Sequence, residues 1–92
     1  MAFENVNQPY ESVKTHRCPC CGFKTLHGRG QDEICAVCFW EDDGQDDHDA
    51  DKVRGGPNGT LSLTQARRNY RQISVSDERF SPNVRPPQPD EQ

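Results

Sequence analysis

The chain is poor in apolar residues. Of its 92 residues only 30% are hydrophobic, and they include a single tryptophan and a single methionine. The mean hydropathy is -1.06. A domain of this size buries too little apolar surface for a core alone to offset the chain entropy lost on folding. We therefore expect a second source of stability, which in small domains is a disulfide set, a metal ion or a partner chain.

Long apolar runs are also missing, and so is the pattern of a secretory leader. No stretch is long enough to cross a bilayer. The N-terminus, MAFENVNQPY, has neither a basic region nor an apolar region. These absences predict a cytoplasmic protein with no membrane association. The formal net charge of -4 also disfavours a general nucleic-acid binder, which needs positive potential along one face.

Cysteine, in contrast, is abundant. The chain has five cysteines, so a fully paired disulfide framework would leave one thiol over. In a reducing cytosol, closely spaced cysteine pairs are more often metal ligands or redox thiols than structural bridges. The cysteines are therefore expected to serve one of these two purposes.

Composition divides the chain into three parts. Residues 1–14 are polar and form an N-terminal arm, residues 15–75 form a metal-binding domain, and residues 76–92 form a tail. The last twelve residues contain four prolines, a composition that predicts disorder in the tail.

One hairpin and one helix are predicted within the domain. Residues 23–26 read as a strand, a glycine-rich turn follows, and residues 33–35 read as the return strand. Ser62 is the expected N-cap of the helix, with Gln65 as the other half of a capping box. An apolar stripe at helical spacing then predicts the face that packs on the hairpin: Leu63, Ala66, Tyr70 and Ile73.

Two Cys-x-x-Cys pairs carry the strongest chemical signal. Thirteen residues separate the first pair, Cys18 and Cys21, from the second, Cys35 and Cys38. Each two-residue gap lets a tight turn present both sulfurs to the same ion, and four thiolates then complete a tetrahedron, the geometry of structural zinc sites. The predicted fold is a small metal-stabilised α+β protein. It is a zinc-ribbon-like β-hairpin with two Cys-x-x-Cys knuckles and one C-terminal helix packed on it.

Several alternatives remain open at this site. Cys20 can replace Cys18 or Cys21 as a ligand, be a packed side chain, or be a reactive thiol. Iron is the alternative metal, although Phe39 after the second pair fits a rubredoxin-type knuckle poorly. A site without metal would hold buried, reduced cysteines. The histidines are expected at the surface, since four cysteines already complete the shell.

The chain resembles the cysteine-rich CPCC family of small bacterial proteins in four segments: CPCCGFKTL, EICAVCFWEDDG, GGPNG and SLTQARRNY. The resemblance spans roughly residues 17 to 73 and departs from the usual pattern at Ala36, where proline is more common. It implies that all five cysteines are signature thiols and that residues 39–44 are the motif that follows them. The family carries no established activity, so the resemblance leaves the function open.

We expect a binding module in which zinc fixes a scaffold for another protein. Tryptophan and arginine are enriched at interaction hot spots. The predicted interaction surface consists of Trp40, Asp42, Asp43, Arg67 and Arg71. No catalytic residue is predicted, and the oligomeric state is left open.

Two other functions are weaker alternatives. A thiol-based redox or nucleophilic activity through Cys20 lacks a clear base and a thioredoxin-like strand–helix context. A zinc-ribbon nucleic-acid binder would use the cluster of Arg67, Arg68 and Arg71, against the negative net charge.

Overall fold

The computed structural model describes residues 14–92. Apart from Lys14, the N-terminal arm predicted from the sequence lies outside the described residues. Between residues 14 and 92 the regular elements are two short strands and one α-helix: β1 (His16–Arg17), β2 (Lys24–Leu26) and α1 (Leu63–Ile73). Four 3-10 turns accompany them, Asp47–Asp49, Gly56–Asn58, Glu78–Asn83 and Pro89–Glu91. Across residues 14–92, no helix has the length and apolar character needed to span a membrane.

Strands β1 and β2 form an antiparallel hairpin around the first cysteine pair. His16 lies opposite Leu26 and Arg17 opposite Lys24, with an irregularity in register between them. The amide of Cys18 donates to the carbonyl of Phe23 over 2.9 Å, which closes the turn between the strands. The predicted strand over residues 23–26 is therefore present, but its partner precedes the first cysteine pair and is not the segment 33–35.

The segment 33–35 pairs with residues 40–42, and the turn between these two segments contains the second cysteine pair. A β-bridge joins Ile34 to Glu41. The amide of Cys35 donates to the carbonyl of Trp40 over 3.0 Å, and the amide of Asp42 donates to the carbonyl of Glu33 over 2.9 Å. Each cysteine pair thus lies at the tip of its own turn, because local backbone hydrogen bonds close both turns over short loops.

Helix α1 is capped by a serine at each end, Ser62 before its first residue and Ser74 after its last. The hydroxyl of Ser62 accepts a hydrogen bond from the amide of Gln65 over 3.0 Å, as the N-cap prediction requires. The Gln65 side chain bonds to Asn69 instead of completing a capping box. Ser74 ends the helix in a left-handed conformation and donates its amide to the carbonyl of Tyr70.

The core lies between the cysteine pairs and α1. Its largest fully buried side chains include Trp40, Leu26 and Leu63, and Val37 is also fully buried. Ala66 on α1 is buried as the stripe predicts, whereas Ile73 at the end of the helix is 48% exposed. This is a small core, in agreement with the low apolar content of the chain.

Arginines tie the acidic stretch 41–51 to the rest of the molecule: Arg67 on α1 pairs with Asp47 over 2.9 Å, and Arg54 pairs with Asp49 over 3.2 Å. Arg29 bonds to the carboxylate of Asp42 over 2.9 Å, to that of Asp46 over 2.7 Å and to the carbonyl of Gln45 over 2.9 Å. The Asp42 carboxylate also accepts the amide of Gly30 over 2.7 Å. A buried carboxylate needs such partners, since an unpaired charge in the interior is costly.

Residues 75–92, here called the C-terminal strap, pack against the second cysteine pair. Val75 is fully buried. The amide of Ser76 donates to the carbonyl of Cys38 over 2.8 Å, and the amide of Arg85 donates to the carbonyl of Ala36 over 3.3 Å. These hydrogen bonds place the segment beside the second turn, and the disorder that the proline content indicates stays a prediction.

An ion-pair network fixes the end of the strap. Glu91 is 2% exposed and accepts two hydrogen bonds from Arg85, each over 2.8 Å. Lys14 adds a third contact to the same carboxylate over 3.2 Å. The Arg85 guanidinium, together with the amide of Gln88 and with Lys14, lowers the pKa of Glu91 to about 2, so this carboxylate is ionised at neutral pH.

Candidate metal centre

Four thiols converge at one point between the two turns. The sulfurs of Cys18, Cys21, Cys35 and Cys38 all lie within 4.8 Å of one another. The Cys18–Cys38 sulfurs are 3.6 Å apart and the Cys21–Cys35 sulfurs 3.7 Å apart. A tetrahedral ion with metal–sulfur bonds of about 2.3 Å has an edge of about 3.8 Å between sulfurs. A disulfide would need about 2.05 Å. The cluster therefore has the spacing of a four-thiolate metal site.

The backbone of the first turn is shaped by Gly22. Its φ of 85° lies in the left-handed region, where a side chain is strained. In this conformation the Gly22 amide donates to the carbonyl of Cys18 over 2.8 Å. The amide of Cys20 points at the Cys18 sulfur over 3.4 Å. Amides aimed at a sulfur stabilise its thiolate form, which is the form that binds a metal.

The second turn repeats this geometry with Phe39 in place of glycine. Phe39 has a φ of 70° and donates its amide to the carbonyl of Cys35 over 2.8 Å. The Cys35 sulfur receives the amides of Val37 and Cys38, each over 3.4 Å. The amide of Trp40 points at the Cys38 sulfur over 3.5 Å. The two turns thus present their sulfurs in equivalent ways despite the different residue at the left-handed position.

One contact to the cluster, made by Thr25, could not be predicted from the sequence. The Thr25 hydroxyl lies 3.0 Å from the Cys35 sulfur, and Thr25 is 3% exposed. Nothing in the strand pattern marks this threonine, because its role depends on the pairing of β2 with β1. Its hydroxyl can donate a further hydrogen bond to the Cys35 sulfur when that sulfur is a thiolate.

Hydrogen bonds between the thiols of the cluster shift the pKa values of Cys35 and Cys18 in opposite directions. Hydrogen bonds from Cys18 and Cys21 lower the pKa of Cys35, and that from Thr25 adds to this effect. The hydrogen bonds of Cys18 with Cys21 and Cys35, together with burial, raise the pKa of Cys18. One thiolate thus suppresses ionisation of its neighbours. A divalent cation removes this competition, since it compensates the charge of all four sulfurs.

Cys20 lies outside the group of four. It is 8% exposed and packs in the core cluster. The positions predicted as ligands from their spacing are therefore the ones that the fold brings together, and Cys20 has the position of a packed side chain beside them. All five cysteines carry free thiols.

Two of the five residues predicted for an interaction surface are buried. Trp40 and Asp42 are both fully buried, so the expectation of an exposed tryptophan is wrong. Arg67 donates to the carbonyl of Pro19 over 2.8 Å and is only partly exposed. Asp43 is partly exposed as well, and Arg71 is the exposed member of the set. Burial of Trp40 removes its large apolar ring surface from water, which adds to a core otherwise built from smaller fully buried side chains.

The fold and the site of the described part of the chain define a class of protein: a small α+β domain with a two-stranded antiparallel hairpin, one helix and four clustered cysteines of the kind that can hold a metal ion. Within that class the chain belongs to the Cysteine-rich CPCC family, whose family model matches residues 16–91. The match covers the cysteine pairs, α1 and most of the strap. Searches of the curated proteins and of the solved structures returned no match.

Proposed function

We propose that the protein is a structural zinc-binding module, with the ion held by Cys18, Cys21, Cys35 and Cys38. The observation that carries this proposal is the closed set of four thiols, spaced for one tetrahedral ion. Zinc favours soft sulfur ligands in this geometry and has no redox chemistry of its own. The placement of each cysteine pair at the tip of a turn supports a zinc-ribbon-like arrangement.

Metal analysis of freshly purified protein tests the identity of the ion. We expect one zinc per chain by mass spectrometry and a colourless solution. Replacement by Co²⁺ should give the intense visible bands of a tetrahedral cobalt tetrathiolate. A coloured protein with stoichiometric iron would contradict the choice of zinc, and a stable, folded monomer without metal would contradict the site itself.

We further propose that this scaffold binds another protein and performs no chemistry of its own. A site with four protein ligands leaves no position for a substrate or an activated water, which favours a structural role for the ion. Thiol chemistry through Cys20 is the alternative, and its 8% exposure does not favour attack on a substrate. The proposed location is the reducing cytoplasm, with which the free thiols of all five cysteines are compatible.

The C-terminal end of α1 is the surface that we assign to the partner. Ile73 is 48% exposed there and borders a groove of about 280 Å³ that also includes Tyr70, Val84 and Pro87. The exposed Arg71 belongs to the same last turn of the helix but does not line the groove. An apolar groove of this kind suits a partner segment that carries an apolar side chain.

Comparative co-purification tests this surface. We expect a defined partner to be retained by the native chain and lost from Ile73→Asp, since a buried carboxylate in the interface is costly. Lys52→Glu is the matched control, because Lys52 is an exposed residue outside the groove and should keep the partner. Retention of the same partner by Ile73→Asp, or repeated recovery of none by the native chain, would contradict the proposal.

A further inference from the structure

The C-terminal strap is hydrogen-bonded to the turn that carries the second cysteine pair. The amide of Ser76 donates to the carbonyl of Cys38 over 2.8 Å. Further along the strap, the amide of Arg85 donates to the carbonyl of Ala36 over 3.3 Å. Ala36 and Cys38 both belong to the second Cys-x-x-Cys segment, so the strap is attached to the backbone that positions two of the four clustered sulfurs.

An aromatic contact joins the strap to the same turn. The rings of Phe80 and Phe39 lie with their centroids 4.5 Å apart. Phe39 follows the second cysteine pair directly and has a φ of 70°, a left-handed conformation that is unfavourable for a bulky residue. In this conformation its amide reaches the carbonyl of Cys35. Packing of Phe80 on the Phe39 ring therefore helps to hold the turn in the shape that brings its sulfurs to the cluster.

The far end of the strap reaches the first cysteine turn. Arg17 donates to the carbonyl of Gly22 over 2.8 Å and to the carbonyl of Gln92 over 3.1 Å. Arg17 is exposed, so this bridge contributes only modestly to holding the strap. The stronger anchor is Glu91, which is 2% exposed and pairs with Lys14 just before β1. The strap thus contacts both cysteine turns and links one to the other.

The beginning of the strap is its fixed part. Val75 is fully buried, and the carbonyl of Ser76 accepts a hydrogen bond from the Asn69 side chain of α1 over 2.8 Å. Among residues 77–92, all of which the structure describes, only Glu91 is buried. Segments with few buried contacts open at a lower free energy than the rest of a fold. Residues 77–92 can therefore detach while the beginning of the strap stays in place.

We propose that residues 77–92 act as a clasp on the metal centre, and that the four thiolates exchange their ion only after this clasp has opened. While the clasp is docked it holds both Ala36 and Phe39, so the second turn cannot move its sulfurs away from the cluster. Opening frees these two positions, and Val75 keeps the open segment attached for reclosure. The clasp thus sets the rate of ion exchange. This inference rests on the proposed zinc site.

Chelator-driven release of the metal from the full chain tests the clasp. Metal-loaded protein is mixed with an excess of a chromogenic chelator, and release is followed by absorbance. Hydrogen exchange of the Arg85 amide, followed by NMR, reports opening of the clasp independently of the metal. We expect Glu91→Gln to raise both rates roughly tenfold or more, because it keeps the shape of the side chain and removes the charge that its buried ion pairs require.

Two further variants separate opening of the clasp from a general loss of stability. Ser62→Ala removes the N-cap of α1 and leaves the contacts of the strap intact. It should change the rate of release by less than about twofold, since local opening does not require α1 to unfold. Phe80→Ala removes the aromatic contact and should accelerate release in the same direction as Glu91→Gln. It provides the test by itself if Glu91→Gln does not fold.

The outcomes distinguish the clasp from the zinc site. Faster exchange of the Arg85 amide in Glu91→Gln with an unchanged rate of metal release would overturn the clasp. Equal acceleration of release by Ser62→Ala would overturn it as well, because release would then follow unfolding of the whole domain. Both results would leave the proposed zinc site standing. A native chain that neither contains nor takes up a metal would contradict the zinc site and the clasp together.

Discussion

Cys35→Ser is expected to abolish both metal binding and the folded structure at neutral pH. Binding of structural zinc contributes on the order of 10–16 kcal/mol in small zinc domains. That is as large as the whole stability of a typical domain, about 5–15 kcal/mol. Cys35 also accepts the amides of Val37 and Cys38 and lies 3.0 Å from the Thr25 hydroxyl, so serine removes the best-supported sulfur of the cluster.

The measurement for this variant combines metal content with circular dichroism. The native chain should lose its ordered spectrum when a strong chelator removes the metal, and Cys35→Ser should show the same spectrum without chelator. Cys20→Ser is the matched control, because Cys20 lies outside the group of four and its replacement should preserve both metal and fold. A native-like spectrum for metal-free Cys35→Ser would refute the dependence of folding on the ion.

Trp40→Ala is expected to lower the free energy of unfolding by about 3–5 kcal/mol, the usual cost of truncating a buried aromatic side chain to alanine. Trp40 is fully buried and follows the second cysteine pair directly. The loss arises because the remaining core residues cannot refill so large a volume. Urea unfolding followed by circular dichroism measures the change, and in the native chain the single tryptophan should emit at the short wavelengths of a buried indole.

Trp40→Phe tests whether the volume of the Trp40 side chain or a hydrogen bond of its indole nitrogen contributes to stability. The indole nitrogen of Trp40 has no hydrogen-bond partner among the described residues, so its removal should cost little beyond the lost volume. We expect Trp40→Phe to retain more than half of the stability lost in Trp40→Ala. If Trp40→Ala were as stable as the native chain, the side chain would be dispensable for the core and free for binding, as the sequence suggested at first.

Local signals in the sequence predict the cluster of four cysteines better than they predict the rest of the fold. The spacing within each Cys-x-x-Cys pair lets one turn present two sulfurs, and the fold brings together the four cysteines chosen on that basis. The N-cap at Ser62 was predictable for the same reason, since its hydrogen bond spans only three residues. Such features depend on contacts close in sequence and hardly on the rest of the fold.

Long-range contacts explain where prediction from the sequence was incomplete. The partner of β2, the burial of Trp40 and the position of the strap each depend on contacts between distant segments. Asp42 illustrates this, because its acidic neighbours suggest a solvated surface, whereas Arg29 and the amide of Gly30 allow its carboxylate to be buried. No pattern around Asp42 shows that an arginine thirteen residues away compensates its charge.

The sequence by itself determined two properties of this protein. One is a scarcity of apolar residues, which calls for further stabilisation, and the other is two cysteine pairs with the spacing of metal ligands. Only the tertiary structure decided which surfaces remain open. It buries the tryptophan, places the strap against the second cysteine pair and leaves Cys21 only partly buried. The physical reason is that ligand spacing is a property of short segments, whereas exposure depends on which distant segments pack over them.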